Sequence, residues 1–350
     1  MLSAADNAML TETGADRPMG RLFRRFWLPV ALGSELPEPD GAPVRLRVMG
    51  EDLVAFRDSA GRVGLLARRC PHRGADLFFG RNEDCGLRCV YHGWKFDVAG
   101  RAVDLPNVPS ESSHHQKLAV TAYPTREFGE LVWAYLGPPG KLPEVPALEF
   151  GLLPASHRFV TKKLQQCNWA QCIEGGLDTA HFSFLHMPAP AVRADDNPDA
   201  PADARRLRWI RNDPMPKFSI VGHEVGFVVG AARLADGDER YWRTAQFMLP
   251  AHATTPSTLP GETYFGYSFV PITDEACWVY TYAWNPDRPI GAAERAKLAA
   301  GHGIVAAVDA GFVPLRNQAN DYLIDRDNQK HLTFTGVRGV AEQDQMIQES

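Results

Sequence analysis

The chain has 350 residues, of which 45% are apolar and 23% charged, with a formal net charge of −5. That length allows one large domain or two of ordinary size with a real core, and the composition is that of a globular protein. The acidic balance gives no electrostatic drive toward a phosphate backbone, so nucleic acid is not an expected partner.

MLSAADNAMLTETGADRPMG, at the start, lacks a basic segment followed by an apolar one, so no secretory signal is expected. No stretch reaches 18 uninterrupted apolar residues, which argues against a transmembrane helix, and the expected location is cytoplasmic. The cysteines Cys70, Cys85, Cys89, Cys167, Cys172 and Cys277 are too sparse and uneven for a disulfide scaffold. In a reducing compartment, clustered Cys and His point to metal binding or catalysis.

Residues 1–39 read as an N-terminal helical segment, because ADRPMGRLFRRFWLP places a proline early and then apolar and basic residues at roughly helical spacing. From Val44 the texture turns to alternation. EDLVAFRD and RVGLLARR flank Ser59-Ala60-Gly61, and LRCVYHGWKFDV and RAVDLP flank Ala99-Gly100, which are hairpin patterns. With LVWAYLG (131–137) as another buried strand, residues 40–137 read as an all-β unit. PPGKLPEVPALEFGLLP (138–154) holds five prolines in 17 residues and reads as a linker. In 155–350, HRFVTKKL, KFSIVGHEVGFVVGAARL, RYWRTAQFML, TYFGYSFVPI and CWVYTYAW are strand-like; NWAQCIEGGLDTAHFSFLH is mostly helical, and GAAERAKLAAG is a helix with a glycine stop. The expected class is α+β: an all-β domain, then a twisted antiparallel sheet packed with helices.

Two pairs of metal-binding residue types stand at the expected hairpin tips, Cys70-Pro71-His72 and Cys89-Val90-Tyr91-His92, with 16 residues between His72 and Cys89. Zinc is the first rival, but a Cys2His2 finger puts its cysteines on one element and its histidines on another. Here each loop presents one of each. A Rieske [2Fe–2S] centre needs this mixture, because one of its irons takes two thiolates and the other two imidazoles. Gly74 and Gly93 permit tight turns in which amides approach cluster sulfurs. CPHRGADL (70–77) and CVYHGWKFD (89–97) resemble the Rieske domain of aromatic-ring-hydroxylating oxygenases. Rieske proteins of respiratory complexes carry an extra cysteine in each cluster loop, paired as a disulfide, and that pattern is absent. Cys85 has no matching partner and reads as a structural thiol.

A second set is Asp178-x2-His181-x4-His186. Five residues turn a regular helix about 140° past alignment, so both imidazoles meet one ion only if the helix deforms or ends near Phe184. Two histidines and a carboxylate form the facial triad of non-haem Fe(II) oxygenases, which leaves adjacent positions open. The carboxylate could be Asp321, Asp325, Asp327, Glu342, Asp344 or Glu349, and spacing does not choose among them.

The resemblance runs from about Pro18 to Ser350 and is to the phthalate 4,5-dioxygenase-like oxygenase (alpha) subunits of the Rieske non-haem iron family. It is carried further by MGRLFRRFWLPVALGSELPEPDGAPVRLRVMGEDLVAF, CNWAQCIEGGLDTAHFSFLH, NDYLIDRDNQ and FTGVRGVAEQDQMIQES. It implies a helix-grip catalytic domain, with Cys70, His72, Cys89 and His92 on the cluster and His181, His186 and Asp344 on a mononuclear iron. Asp178 is implied to join His181 to the partner subunit's His92, linking the two redox sites across a trimer or a multiple of it. The implied activity is that of an oxygenase component. It takes electrons from a separate NAD(P)H-dependent reductase and uses O2 to hydroxylate, dihydroxylate or O-dealkylate an aromatic substrate, expected to bear a carboxylate. Arg205, Arg206, Arg208 and Arg211 are candidate partners for that carboxylate. The chain itself carries no GxGxxG fingerprint for a nicotinamide. Family members continue past the position of Ser350, so a truncated catalytic domain is expected. The rival functions are a Rieske electron carrier without oxygenase chemistry and a zinc-stabilised binding module.

Overall fold

The computed structural model describes residues 2–109, 117–190, 192, 202–255 and 261–350. The chain divides into two compact units. One runs to Leu152 and takes in Val270–Asp274; the other comprises Leu153–Phe269 and Glu275–Ser350.

In the first unit, helices Ala4–Thr11 and Pro18–Phe23 precede ten strands: β1 (Trp27–Leu32), β2 (Val44–Val48), β3 (Glu51–Arg57), β4 (Val63–Ala67), β5 (Arg81–Glu83), β6 (Gly86–Arg88), β7 (Lys95–Phe96), β8 (Ala102–Asp104), β9 (Thr125–Phe128) and β10 (Leu131–Tyr135). They form three small sheets, ordered β1-β10-β9, β2-β3-β4 and β5-β6-β7-β8. The stretch 1–39, expected as helical, thus also holds a strand. WLPVAL is buried at every position and pairs antiparallel with β10, which is buried throughout. A strand covered on both faces shows no alternation, so periodicity does not separate it from a buried helix. Pro29 lies at the register shift of that pairing, where a missing N–H is tolerated.

The second unit is built on a sheet of seven strands among the described residues: β11 (Arg158–Gln165), β12 (Lys217–His223), β13 (Gly226–Leu234), β14 (Arg240–Met248), β15 (His252–Thr254), β16 (Tyr264–Pro271) and β17 (Cys277–Trp284). Their order is β11-β17-β16-β15-β14-β13-β12, with antiparallel pairing at β11/β17, β12/β13, β13/β14, β14/β15 and β15/β16. Helix Trp169–Leu177 packs against β14, β15 and the final helix Val340–Gln348. It forms because Asn168 caps it, accepting the Ala170 amide at 2.9 Å. Trp169, Cys172 and Ile173, spaced for one helical face, are buried. Gly175 lets the final helix approach, since a Cβ there would stand 2.1 Å from Gln348 Nε2. No helix among the described residues is long and apolar enough to cross a membrane.

Candidate metal centres

The two Cys/His loops share one backbone design. The Cys70 amide donates to Ala75 O (2.9 Å) and the Gly74 amide to Cys70 O (2.9 Å). The Cys89 amide likewise donates to Trp94 O (2.8 Å) and the Gly93 amide to Cys89 O (3.0 Å). Both closures require a left-handed residue, with φ of 71° at Gly74 and 77° at Gly93. The loops differ in offering histidine two or three positions after the cysteine.

Cys70 and Cys89 belong to the hydrophobic core around Phe56, Leu77, Leu87 and Phe96. The imidazoles are only partly buried. Their ring centroids lie 4.5 Å apart, and His72 stacks on Trp94 at 4.3 Å. Burial and the adjacent Cys89 push the Cys70 thiol up to about 11, although amides of its own loop oppose this. Two adjacent buried thiolates are unfavourable unless a cation compensates them. Burial, with His92 and Arg73 nearby, lowers the pKa of His72 and keeps it in the neutral form that ligates metal. Its Nδ1 is buried with no hydrogen-bond partner. These residues fit a bound metal group. They do not fit one zinc ion, whose ligands would lie within about 4 Å of one another. Among the described residues, the set of three donors within 4.8 Å of one another is a different one, His181, His186 and Asp344. Cys85 sits at the turn between β5 and β6 with φ of 58°, its amide donating to Ser59 Oγ.

At the second centre, helix Trp169–Leu177 stops at Asp178, whose backbone is extended, and a single 3-10 turn spans His181–Ser183. Phe184 leaves helical geometry. The break brings both imidazoles to one point, as the five-residue spacing demanded. The Nε2 atoms of His181 and His186 lie 3.1 Å apart, and Asp344 Oδ1, from the final helix, lies 3.6 and 3.1 Å from them. Bonds of about 2.1 Å at right angles place neighbouring donors about 3 Å apart, which matches.

The hydrogen bonds around this triangle suit it to a cation. His181 Nδ1 faces Asp178 Oδ2 at 2.8 Å, and His186 Nδ1 faces Gln343 Oε1 at 2.7 Å. Gln343 is oriented by its own Nε2, which donates to Val337 O at 2.8 Å. Both Nδ1 atoms therefore donate, which turns both Nε2 atoms toward each other and toward a carboxylate oxygen, where a cation would be held. Burial alone would lift the Asp178 pKa. Hydrogen bonds from the His181 ring and from the Ala180 and His181 amides outweigh it and hold Asp178 at about 2. At His186, burial opposes charge, but Asp344 and Gln343 prevail and raise its pKa.

A cavity of about 210 Å³ opens beside the triangle, lined by Asp178, His181, Phe182, Phe265, Tyr267 and Asp344 among others. Of the four arginines named from the sequence, only Arg206 reaches it. Arg208 pairs with Asp236 at 2.6 Å, Arg211 donates to Val192 O, and Arg205 lies over Trp209. The cavity's other cation, Arg243, was not singled out from the sequence. Its signal was position: in β14 it alternates inward together with Ala245. Arg243 is 6% exposed, donates to Thr179 Oγ1 at 3.0 Å and to Tyr241 OH at 3.5 Å, and sits 4.1 Å over the Phe182 ring. Burial lowers its pKa; Tyr241 offsets part of this, and the nearby Arg206 charge adds to it.

Residues 26–124 match the model of the Rieske [2Fe-2S] domain, and residues 134–350 match that of the LigXa C-terminal domain. The chain belongs to the Rieske non-haem iron oxygenases. It is 40% identical to the phthalate 4,5-dioxygenase oxygenase subunit of Pseudomonas putida, over 98% of this chain and 78% of that one. It is 36% identical to the 3-chlorobenzoate-3,4-dioxygenase oxygenase subunit of Comamonas testosteroni, over 100% and 82%. Its fold is that of dicamba monooxygenase bound to 3,6 dichlorosalicylic acid, with a TM-score of 0.61 at 18% identity over 94% of this chain and 87% of that one. This Rieske non-haem iron oxygenase is thus an oxidoreductase, the oxygenase component of a multicomponent system, with a [2Fe–2S] domain. As an oxygenase subunit it works with a separate electron-donating component. The rival reading as a simple electron carrier is not supported, nor is a zinc module.

Proposed function

We propose that Cys70, His72, Cys89 and His92 hold the cluster, that His181, His186 and Asp344 hold the iron, and that the substrate is a single-ring aromatic carboxylate. The observation that carries this reading is Arg243. Its partners among the described residues are two hydroxyls and an aromatic ring, none of them anionic. A buried cation of this kind, with a second guanidinium near it, is costly until an anion joins it. The planar fork of arginine suits a carboxylate. A cavity of about 150 Å³ takes benzene, so about 210 Å³ leaves room for one ring with substituents. The names of the two relatives, phthalate and 3-chlorobenzoate dioxygenases, point to the same substrate class.

The iron, when bound, supplies the activation of O2, and the cluster relays the electrons that this consumes. Asp178 and Gln343 keep the Nδ1 protons in place so that both Nε2 atoms stay free to ligate. Arg243 neutralises the carboxylate and sets the ring's position, while Phe182, Phe265 and Tyr267 keep water from it. Asp178 is 40% exposed at its side chain. It has acceptor capacity left for the partner subunit's His92, in a trimer or multiple of one. An NAD(P)H-dependent reductase and a cytoplasmic location complete the proposal.

The test has two readouts. Anaerobically prepared protein is expected to hold near three irons per chain with a Rieske EPR signal; near two irons would defeat the iron-site assignment. Arg243→Met is expected to weaken an aromatic carboxylate by about 2 kcal/mol, roughly thirtyfold in Kd, and to spare the corresponding amide. Equal losses for acid and amide, or none, would refute the carboxylate anchor.

A further inference from the structure

A second cavity, of about 430 Å³, lies in the same unit as the iron triangle and touches it at His186. His186 and Gln343 line it, and it shares Gly303 and Val340 with the cavity that holds Arg243. The two cavities adjoin at Gly303. That residue has φ of 67°, and a Cβ there would stand 3.7 Å from the ring of Phe265, which lines the inner cavity. The outer cavity carries Lys297, His302 and Arg338, all exposed. Lys297 comes from the last turn of helix Ala292–Ala299, His302 from the loop after it, and Arg338 from the loop before the final helix. None of the residues lining this cavity carries a carboxylate. The chain as a whole has a net charge of −5, so a groove with only basic ionisable groups stands against the average of the surface.

We infer that this groove is the outer mouth of the substrate cavity, and that Lys297, Arg338 and His302 steer an aromatic carboxylate toward Arg243. The inference rests on the carboxylate reading of the inner cavity. Charges lining a groove with low-dielectric walls focus the field outward and raise the association rate of an ion of opposite sign by tenfold or more. The effect acts on approach, so it falls as salt shortens the Debye length. Two steps divide the work: the rim attracts the anion through solvent, and Arg243 binds it where water is excluded.

The experiment uses salicylate, a fluorescent single-ring carboxylate, and salicylamide, its neutral counterpart, with the iron-loaded protein in stopped-flow mixing. The association rate of salicylate is expected to fall as salt rises from about 20 mM to about 300 mM, while that of salicylamide stays flat. The triple variant Lys297→Gln, His302→Gln, Arg338→Gln is expected to lose about tenfold in the salicylate association rate at low salt, together with its salt dependence. Its salicylamide rate should match the wild type, which also shows that the variant is folded. A triple variant with the wild-type salicylate rate and salt dependence overturns the steering role. Salicylate binding that is undetectable, or indifferent to Arg243→Met, overturns the carboxylate reading and the steering role with it. Binding that depends on Arg243 but not on the rim overturns the steering role alone.

Discussion

Gln343→Leu removes the side-chain amide that orients His186 without touching a proposed iron ligand. Gln343 Oε1 accepts from His186 Nδ1 at 2.7 Å, and its Nε2 donates to Val337 O at 2.8 Å. His186 has a side chain only 5% exposed, and Gln343 is 7% exposed, so the orienting acceptor is supplied by the protein. Leucine keeps the volume and deletes both hydrogen bonds. The His186 ring is then free to rotate or to place its proton on Nε2, where it blocks ligation. Losing such an orienting partner costs about 10- to 100-fold in metal affinity, or about 1.4–2.7 kcal/mol. The assay is iron per chain after equilibration in buffered Fe(II) under anaerobic conditions. Total iron should fall from near three toward near two, while the visible absorption of the Rieske cluster stays at full strength as an internal standard. Gln343→Glu, which keeps an acceptor on His186, should retain iron within a few-fold of the wild type. A Gln343→Leu protein with wild-type iron affinity would refute the argument that the tautomer of His186 is held by this side chain.

Asp178→Asn should keep its iron, because the amide oxygen still accepts from His181 Nδ1, but oxidation of the reduced cluster in a single turnover should slow by about 10- to 100-fold; an unchanged rate would remove Asp178 from the link between the two centres. Gly93→Ala should destabilise the cluster domain more than Gly74→Ala, as read from thermal loss of cluster absorption. Both substitutions incur about 1–2 kcal/mol for the left-handed backbone, but only at Gly93 would the new Cβ meet a neighbour, Pro106 Cγ at 2.8 Å. Identical losses would contradict this. His252 is buried in the sheet against Ser268, whose hydroxyl also meets Tyr282, and burial pulls its pKa down to about 4. The unfolded chain takes up that proton below about 6.5 and the folded chain does not, so stability should fall as pH drops through this window, by about 1.4 kcal/mol at pH 5.5. His252→Gln should flatten the decline between pH 8 and pH 5.5 in denaturant titrations, and an equally steep decline would show that other groups cause it.

The donor types were legible because chemistry restricts them. Few residues ligate iron, and pairs of them near glycines are hard to explain as core packing. The break in the helix before His186 was legible too, since five residues do not bring two imidazoles to one side of a regular helix. Arg243 was not legible. An arginine on an alternating strand reads as a surface residue until the fold shows which face of β14 is inside. Gln343 was hidden for a similar reason, because a glutamine carries no mark of the partner it will orient. Trp27–Leu32 was obscured by burial on both faces, which erases the alternation that marks a strand.

The sequence by itself determined the chemical class of this protein: four donors in two loops, two more histidines, and a choice of carboxylates. Local spacing was enough there, because loop closure and helical rotation act over a few residues. Only the tertiary structure decided which distant groups meet. Asp344 joins His181 and His186 across more than 150 residues of chain. Arg243 turns toward Phe182 because β14 lies where it does in the sheet. The basic groove gathers Lys297, His302 and Arg338 from three separate segments. Contacts of that range are set by packing, and packing depends on the whole of the unit at once.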